Sequence, residues 1–128
     1  MPTVVLVLLL LALLPYLLAA YGGYYKQRQL GGLDMHHPRL QDAGLSDRAH
    51  RISASQRNAW EALGFFVACV LAAHMRDASL EALASAALLF LLTRILHPLF
   101  YIGDLPPARS LTVVFGLLCG LYIGAWAG

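Results

Sequence analysis

Charged side chains are scarce in this chain: they make up 12% of its 128 residues, and the formal net charge is only +2. Soluble proteins carry roughly 25% charged residues, and a water-soluble domain of this length could not bury the 59% of its residues that are hydrophobic. A bilayer removes that difficulty, because lipid then solvates the apolar surface. The composition therefore predicts a small integral membrane protein that contacts membrane lipid, and the small net charge gives no indication of nucleic-acid binding.

Cysteine is equally rare, with Cys69 and Cys119 each inside an apolar run. This excludes the dense cysteine pattern of a disulfide framework, so both thiols are predicted to be core or lipid-facing. A basic segment is also absent before the apolar run at residues 4–20, which is longer than the roughly 7–15 apolar residues of a secretory signal peptide. That run is therefore predicted to be a retained first membrane span.

Four apolar stretches approach the ~20 residues that a helix needs to cross a bilayer. The predicted spans cover about residues 2–21, 58–74, 80–102 and 110–128. Hydrophobic residues do not alternate with period two, so the spans are predicted to be helices, which satisfy their own backbone hydrogen bonds in lipid. The predicted fold class is all-α, a four-transmembrane-helix bundle that forms a single domain over residues 1–128.

A long polar segment, residues 22–57, joins the first two spans. Two Gly-Gly pairs and Pro38 predict a loop in its first part, whereas the sequence from Leu45 onward, with Ser46 as N-cap, predicts a helix. The segment contains most of the basic residues, so the positive-inside rule places it in the cytoplasm and both termini outside. The short chain, without a targeting signal, is typical of a bacterial inner membrane.

Polar and ionisable residues within or beside the predicted spans fall on two helix faces. An ionisable residue at the centre of a span costs about 2.5–3.5 kcal/mol, so such residues are rare without a partner or a function. Their spacing is i, i+7 and i+10 in the first set and i, i+3 and i+7 in the second, and each set shares one helix face. The first set is Arg51, Asn58 and Glu61, and the second is Arg94, His97 and Tyr101.

The polar groups on two such faces at the same depth either form hydrogen bonds and ion pairs with each other or bind a ligand between the helices. Glu61 and Arg94 are the expected ion pair, and a purely structural cluster that holds the helices together is the alternative to a binding site. Arg109, at the start of the fourth span, is either a flanking charge or part of the site, and Arg57 is either a site residue or an interfacial side chain. Two adjacent histidines in the loop are weak evidence for a metal, and no metal site is predicted.

Small residues recur in the fourth span at Gly116, Gly120 and Gly124, a double GxxxG pattern. Glycines at this spacing let two helices approach closely. The pattern marks either a seam between copies of the protein or packing inside one chain, and the sequence leaves both alternatives open.

Two stretches together resemble a known family, the membrane-associated proteins in eicosanoid and glutathione metabolism (MAPEG). The first is RISASQRNAWEALGFF at residues 51–66, with its arginine, its Asn-x-x-Glu and a following apolar run. The second is RILHPLFYIGDLPPARS at residues 94–110, with Arg-x-x-His-x-x-x-Tyr, a short joint and Arg-Ser. Span number, the long first joint and the short third joint extend the resemblance over essentially the whole chain.

The resemblance implies a MAPEG-like bundle assembled as a homotrimer, with glutathione as cosubstrate between neighbouring subunits at the cytoplasmic side. It implies a glutathione-dependent transferase or peroxidase that acts on lipophilic electrophiles from the membrane. The implied catalytic residues are Arg109, which stabilises the glutathione thiolate, and Tyr101, whose hydroxyl assists. The implied glutathione-binding residues are Arg51, Arg57, Asn58, Glu61, Arg94, His97 and Ser110.

The chemistry of glutathione suits these residue types, because its two carboxylates match guanidinium forks and its ammonium matches Glu61. The chain departs from some members of the family at Ala54, where they carry an arginine. One alternative is a MAPEG-fold protein that binds another ligand or lacks catalysis. Another is a small four-helix multidrug exporter, which is disfavoured because the first span has no carboxylate.

Overall fold

The computed structural model describes residues 1–30 and 47–128. Within these two ranges the chain forms long helices and no strand, and four of the helices are long and apolar enough to cross a membrane. This confirms the predicted all-α bundle with four spans. The helices are α1 (Thr3–Leu30), α2 (Asp47–Met75), α3 (Ala84–Ile102) and α4 (Pro106–Ala125), and a short 3-10 helix, Glu81–Leu83, precedes α3.

The outside of the bundle is covered by large apolar side chains. Leu17, Leu111 and Leu118 are each more than half exposed, and similar side chains follow the outer faces of all four helices. In water such a continuous apolar surface would drive association. The surface therefore fits a lipid environment and is consistent with the lipid contact expected from the composition.

The first helix extends further than the sequence predicted. The loop expected from Gly22 onward is wrong for residues 22–30, because α1 continues without a break to Leu30. Gly22 serves close packing here and does not form a turn: a Cβ at this position would lie 3.1 Å from the Ile52 side chain of α2. The close approach of α1 and α2 explains why a residue with low helix propensity is found inside a helix.

The other helix starts differ less from expectation. α2 begins at Asp47, directly after the predicted cap, and α4 begins at Pro106, about one turn before the predicted start of the fourth span. Proline is favoured in the first turn of a helix because its missing N–H would have no partner there. Several predicted features lie outside the described residues: the rest of the loop with Pro38, the histidines His36 and His37, the helix start at Leu45 and the N-cap Ser46.

The helices pack so that α2 and α3 lie between α1 and α4. α1 packs mainly on α2, and α3 packs mainly on α4. Phe66 of α2 and Phe90 of α3 meet at the centre of the core with ring centroids 4.8 Å apart. The same core buries Cys69 and Cys119, which agrees with the prediction that both thiols are core or lipid-facing.

The two short joints turn the chain sharply. Asp77, after α2, and Asp104, between α3 and α4, both have a positive φ, of 61° and 58°. Aspartate is one of the few non-glycine residues that adopt this left-handed conformation at low cost. These turns fold each helix back antiparallel to the previous one and bring the end of α3 next to the start of α4.

The glycine pattern of α4 packs inside the chain. A Cβ on Gly116 would lie 3.1 Å from Oγ1 of Thr93, and one on Gly124 would lie 3.6 Å from the backbone of Cys69. A Cβ on Gly120 would overlap the ring of Phe65. The glycines therefore serve the packing of α4 against α2 and α3, which resolves the alternative that the sequence left open.

Candidate functional site

Arg94 of α3 is the one buried arginine, lysine or carboxylate side chain within the described residues, with 4% of its surface exposed. Its Nη2 donates a hydrogen bond to Oδ1 of Asn58 on α2. Its Nε is buried and has no hydrogen-bond partner in the described structure. A guanidinium offers five N–H donors, so Arg94 has more donors than the chain supplies with acceptors.

The expected ion pair between Glu61 and Arg94 is not formed in the described part of the chain, so that prediction is wrong. Asn58 lies at the level of Arg94, whereas Glu61 lies one helical turn further along α2 and is exposed. Both side chains nevertheless line the same cavity. The choice between the two partners depends on the register of α2 against α3, which opposite charge alone does not determine.

Two contacts define this register. Nε of Arg51 donates to the carbonyl oxygen of Ile102 at 3.3 Å, and Arg94 donates to Asn58. The helices run antiparallel, so positions between these two contacts face one another. The structure thus brings together the two polar faces that the spacing had identified separately on α2 and α3.

A second group of side chains lies where α3 ends and α4 begins. His97 is buried, and its ring centroid lies 5.6 Å from that of Tyr101. The guanidinium carbon of Arg109 lies 4.6 Å from the centroid of the Tyr101 ring, a cation–π contact. Nδ1 of His97 is buried and has no partner in the described structure. The turn at Asp104 produces this arrangement, because it folds α4 back over the last turn of α3.

A cavity of about 190 Å³ opens between α2, α3 and α4. Arg109 precedes Val113, a wall residue, by four positions on α4, which places both on one helix face with Arg109 one turn nearer the end of the bundle. The polar side chains that line the cavity are Asn58, Glu61 and Arg94, and the apolar wall consists of Ala62, Phe65, Phe90, Val113, Gly116 and Leu117.

The remaining predicted site residues lie at the periphery. Arg57 and Ser110 are exposed and make no hydrogen bond or ion pair within the described structure. Arg51 is half-buried and is engaged with the end of α3. The fold therefore brings only part of the predicted set together. Arg94 contacts Asn58, and Tyr101 lies beside both Arg109 and His97. The exposed members of the set are Arg57, Glu61 and Ser110.

Ser55 is a polar residue that the sequence analysis did not select. It is 1% exposed, and its Oγ has no hydrogen-bond partner in the described structure. A signal was present, because Ser55 follows Arg51 by four positions and precedes Asn58 by three and so lies on their face of α2. Serine was overlooked because a single hydroxyl within a helix has no distinctive pattern.

This arrangement favours binding of an anion. Two guanidinium groups, that of Arg94 midway along α3 and that of Arg109 in the first turn of α4, lie near apolar walls, where a charge-assisted hydrogen bond is stronger than in water. The cavity is smaller than the roughly 300–1,000 Å³ of most small-molecule sites. It is also partly open to the surface, and its lining residue Glu61 is exposed.

Comparison with known proteins identifies the family. No curated protein and no solved structure matches the chain. The family model described as the MAPEG family matches residues 3–128, essentially the whole chain. Together with the four apolar helices, this match establishes that the chain is an integral membrane protein and belongs to the MAPEG family.

Proposed function

We propose that this protein binds glutathione and uses its thiolate to attack or reduce lipophilic electrophiles in the membrane, as a transferase or peroxidase. The observation that supports this most directly is Arg94, a buried cation in a cavity with more donors than the chain supplies with acceptors. A buried unpaired charge is costly, and an anionic ligand would offset that cost. Membership of the MAPEG family supports a glutathione-related compound as the ligand that we propose.

The binding roles follow from the groups that glutathione presents. Its carboxylates would accept hydrogen bonds from Arg94 and from the exposed Arg57, because planar guanidinium groups bind carboxylates with two parallel bonds. Glu61, which lines the cavity and has no ion-pair partner in the described structure, would bind the ammonium group. Asn58 accepts a hydrogen bond from Arg94 and so fixes the position of its side chain. The remaining residues of the proposed binding site are Arg51, His97 and Ser110.

The proposed chemistry depends on Arg109 and Tyr101. A free thiol has a pKa of about 8.5 and must lose its proton to become a nucleophile. A cation beside the sulfur stabilises the thiolate, and Arg109 is already fixed against the Tyr101 ring at 4.6 Å. In the transfer reaction the thiol proton goes to solvent, the sulfur forms a bond to the electrophilic carbon, and the leaving group departs with its electron pair.

The open side of the cavity supports a homotrimer as the functional form. Arg57, Glu61 and Ser110 are exposed on a single chain, although polar side chains are costly where they face lipid. A second copy packed against this face would cover them and would enlarge the 190 Å³ cavity toward the size of a tripeptide site. We place this site at the cytoplasmic side of a bacterial inner membrane, with both termini outside, because the basic residues cluster at that end.

The alternative is a MAPEG-fold protein in which this cluster binds another ligand or only holds the helices together. The hydrogen bond between Arg94 and Asn58 favours the structural alternative, because it joins α2 and α3 directly. The two proposals differ in what Arg109 does, because Arg109 contacts Tyr101 across the turn between α3 and α4 and does not tie α4 to α2.

The test is turnover by the purified protein in detergent, with glutathione and either a lipophilic aryl halide or a lipid hydroperoxide. We expect Arg109→Ala to lower turnover about 100-fold or more, the effect of removing one group that stabilises a developing anion. Arg28→Ala is the matched control, because Arg28 is an exposed arginine bonded to Tyr24 of its own helix. Wild-type turnover no faster than that of Arg109→Ala would refute the catalytic assignment, and loss of assembly in the variant would favour the structural alternative.

A further inference from the structure

Ser55 is a buried hydroxyl for which the proposed function has no role. Its Oγ is buried and has no hydrogen-bond partner in the described structure. Leaving a buried polar group unpaired is unfavourable, because its desolvation is not compensated. Two atoms on the facing helix share this property, Nε of Arg94 and Nδ1 of His97. Three unpaired polar atoms on two adjacent helices point to a common partner.

The register of α2 against α3 brings these atoms to the same level. Ser55 lies between Arg51 and Asn58 on one face of α2, and both of those residues contact α3. His97 follows Arg94 by three positions on the facing side of α3. Because the helices are antiparallel, one turn from the Asn58–Arg94 contact leads to Ser55 on α2 and to His97 on α3.

We propose that Ser55, Arg94 and His97 bind one buried water molecule between α2 and α3, and that this water fixes the tautomer of His97. A buried water typically makes about three hydrogen bonds to polar groups that would otherwise be unpaired. Arg94 Nε is only a donor, so the water oxygen accepts its hydrogen. In the proposed arrangement the two hydrogens of the water are donated to the two unpaired acceptors, one to Oγ of Ser55 and one to Nδ1 of His97.

This arrangement determines where the imidazole proton lies. If Nδ1 accepts a hydrogen bond, the single proton of a neutral imidazole is on Nε2. His97 therefore presents an N–H donor on the other edge of its ring. The functional consequence rests on the proposed function: Ser55 is a positioning residue, and the Nε2 donor of His97 is held ready for an oxygen of glutathione.

The tautomer of His97 is measurable by side-chain ¹⁵N NMR on protein labelled with ¹⁵N-histidine, in detergent and without glutathione. The pH is set well above the free imidazole pKa of about 6.5, so that the rings are neutral. The His97 signals are assigned from the spectrum of His97→Gln. We expect the wild-type protein to show the proton on Nε2, and a nuclear Overhauser effect between water and the His97 ring.

Matched variants separate the hydroxyl of Ser55 from general packing. Ser55→Ala removes one partner of the water, and we expect the ratio of the two tautomers to fall about fivefold, the effect of losing one neutral hydrogen bond. Ser55→Thr keeps the hydroxyl and is expected to keep the wild-type ratio. Ser53→Ala, at a half-buried serine two positions away, is expected to change nothing.

Several results would overturn the inference. They are a wild-type proton on Nδ1, an unchanged tautomer ratio in Ser55→Ala, or an equal change in Ser53→Ala. If the tautomer is as expected but no Overhauser effect to water is seen, the water is ruled out, and a direct hydrogen bond from Ser55 to Nδ1 of His97 takes its place. If Ser55→Ala fails to fold, the nuclear Overhauser effect between water and the His97 ring of the wild type still decides, because the Nε2 tautomer alone is also the intrinsic preference of a neutral imidazole. None of these measurements includes glutathione, so a failure of glutathione to bind would leave this result intact.

Discussion

Two arginines at different levels of the bundle are held in different ways. Arg76, in the joint after α2, donates to the backbone carbonyl oxygens of Gly124, Ile123 and Ala127, at 2.6, 2.9 and 3.0 Å. Arg94, midway along α3, has one side-chain acceptor and a buried Nε without a partner in the described structure. The first arginine is satisfied by the fold, and the second is not.

The contrast distinguishes a cation that the backbone satisfies from one that keeps unpaired donors. The last carbonyl groups of a helix have no partner within the helix, and a cation at that end also meets the favourable end of the helix dipole. Arg76 donates to carbonyl groups at the end of α4 and places its positive charge at the negative end of the helix dipole. It thereby links the end of α2 to the end of α4. Arg94 meets no such set of acceptors, although it is buried and therefore needs them more.

Removal of the side-chain acceptor of Arg94 is expected to have the strongest effect on stability. We expect Asn58→Leu to lower the free energy of unfolding by about 2 kcal/mol, because it leaves further buried donors of Arg94 unpaired. The measurement is thermal unfolding in detergent. Glu61→Gln is the control, because Glu61 is exposed and unpaired in the described structure. An unchanged melting temperature for Asn58→Leu would mean that Arg94 does not depend on this bond.

Loss of Arg76 is expected to have a smaller effect, confined to stability. Arg76→Ala removes three hydrogen bonds to carbonyl groups, but the side chain is exposed and water replaces part of what is lost, so we expect a loss of about 1 kcal/mol. Thermal unfolding again measures it, with Arg57→Ala as control because Arg57 makes no bond within the described structure. If Arg76→Ala also lost glutathione binding, the proposed division of roles, in which Arg76 stabilises the fold and Arg94 binds the ligand, would be wrong.

Glycine substitutions give the smallest expected effect and test the packing between the ends. Gly64 is exposed within α2 and has open space where a Cβ would be, so Gly64→Ala is expected to raise the free energy of unfolding by about 0.5–1 kcal/mol. Gly120→Ala is expected to give no such gain, because its Cβ meets the Phe65 ring. Equal gains for the two variants would show that α4 does not pack closely on α2.

Much of the fold could be predicted from the sequence because hydropathy alone determines membrane spans. The end of α1 could not: Gly22 suggests a turn, and only the nearby Ile52 side chain of α2 explains a glycine inside a helix. The composition predicted which helices form, whereas the position of their ends depended on contacts between them.

The site was predictable in its residue types and less so in its contacts. Spacing selected both faces, and the resemblance named Arg109 and Tyr101 as catalytic residues without predicting the contact that the structure shows between them. Opposite charge predicted the wrong partner for Arg94, because the register of two helices depends on the packing of the whole bundle. The trimer and the bound glutathione stay predictions, since they depend on contacts outside a single chain.

The most direct test of the account is calorimetric titration of glutathione into the purified protein in detergent, with Arg94→Ala and Arg76→Ala alongside. We expect the wild-type protein to bind, Arg94→Ala to bind about 10-fold more weakly or worse, as when charged hydrogen bonds are lost, and Arg76→Ala to bind like the wild type. Absence of binding by the wild type at millimolar glutathione, or equal weakening by both variants, would contradict the claim that the Nη hydrogens of Arg94 not bonded to Asn58 bind this ligand.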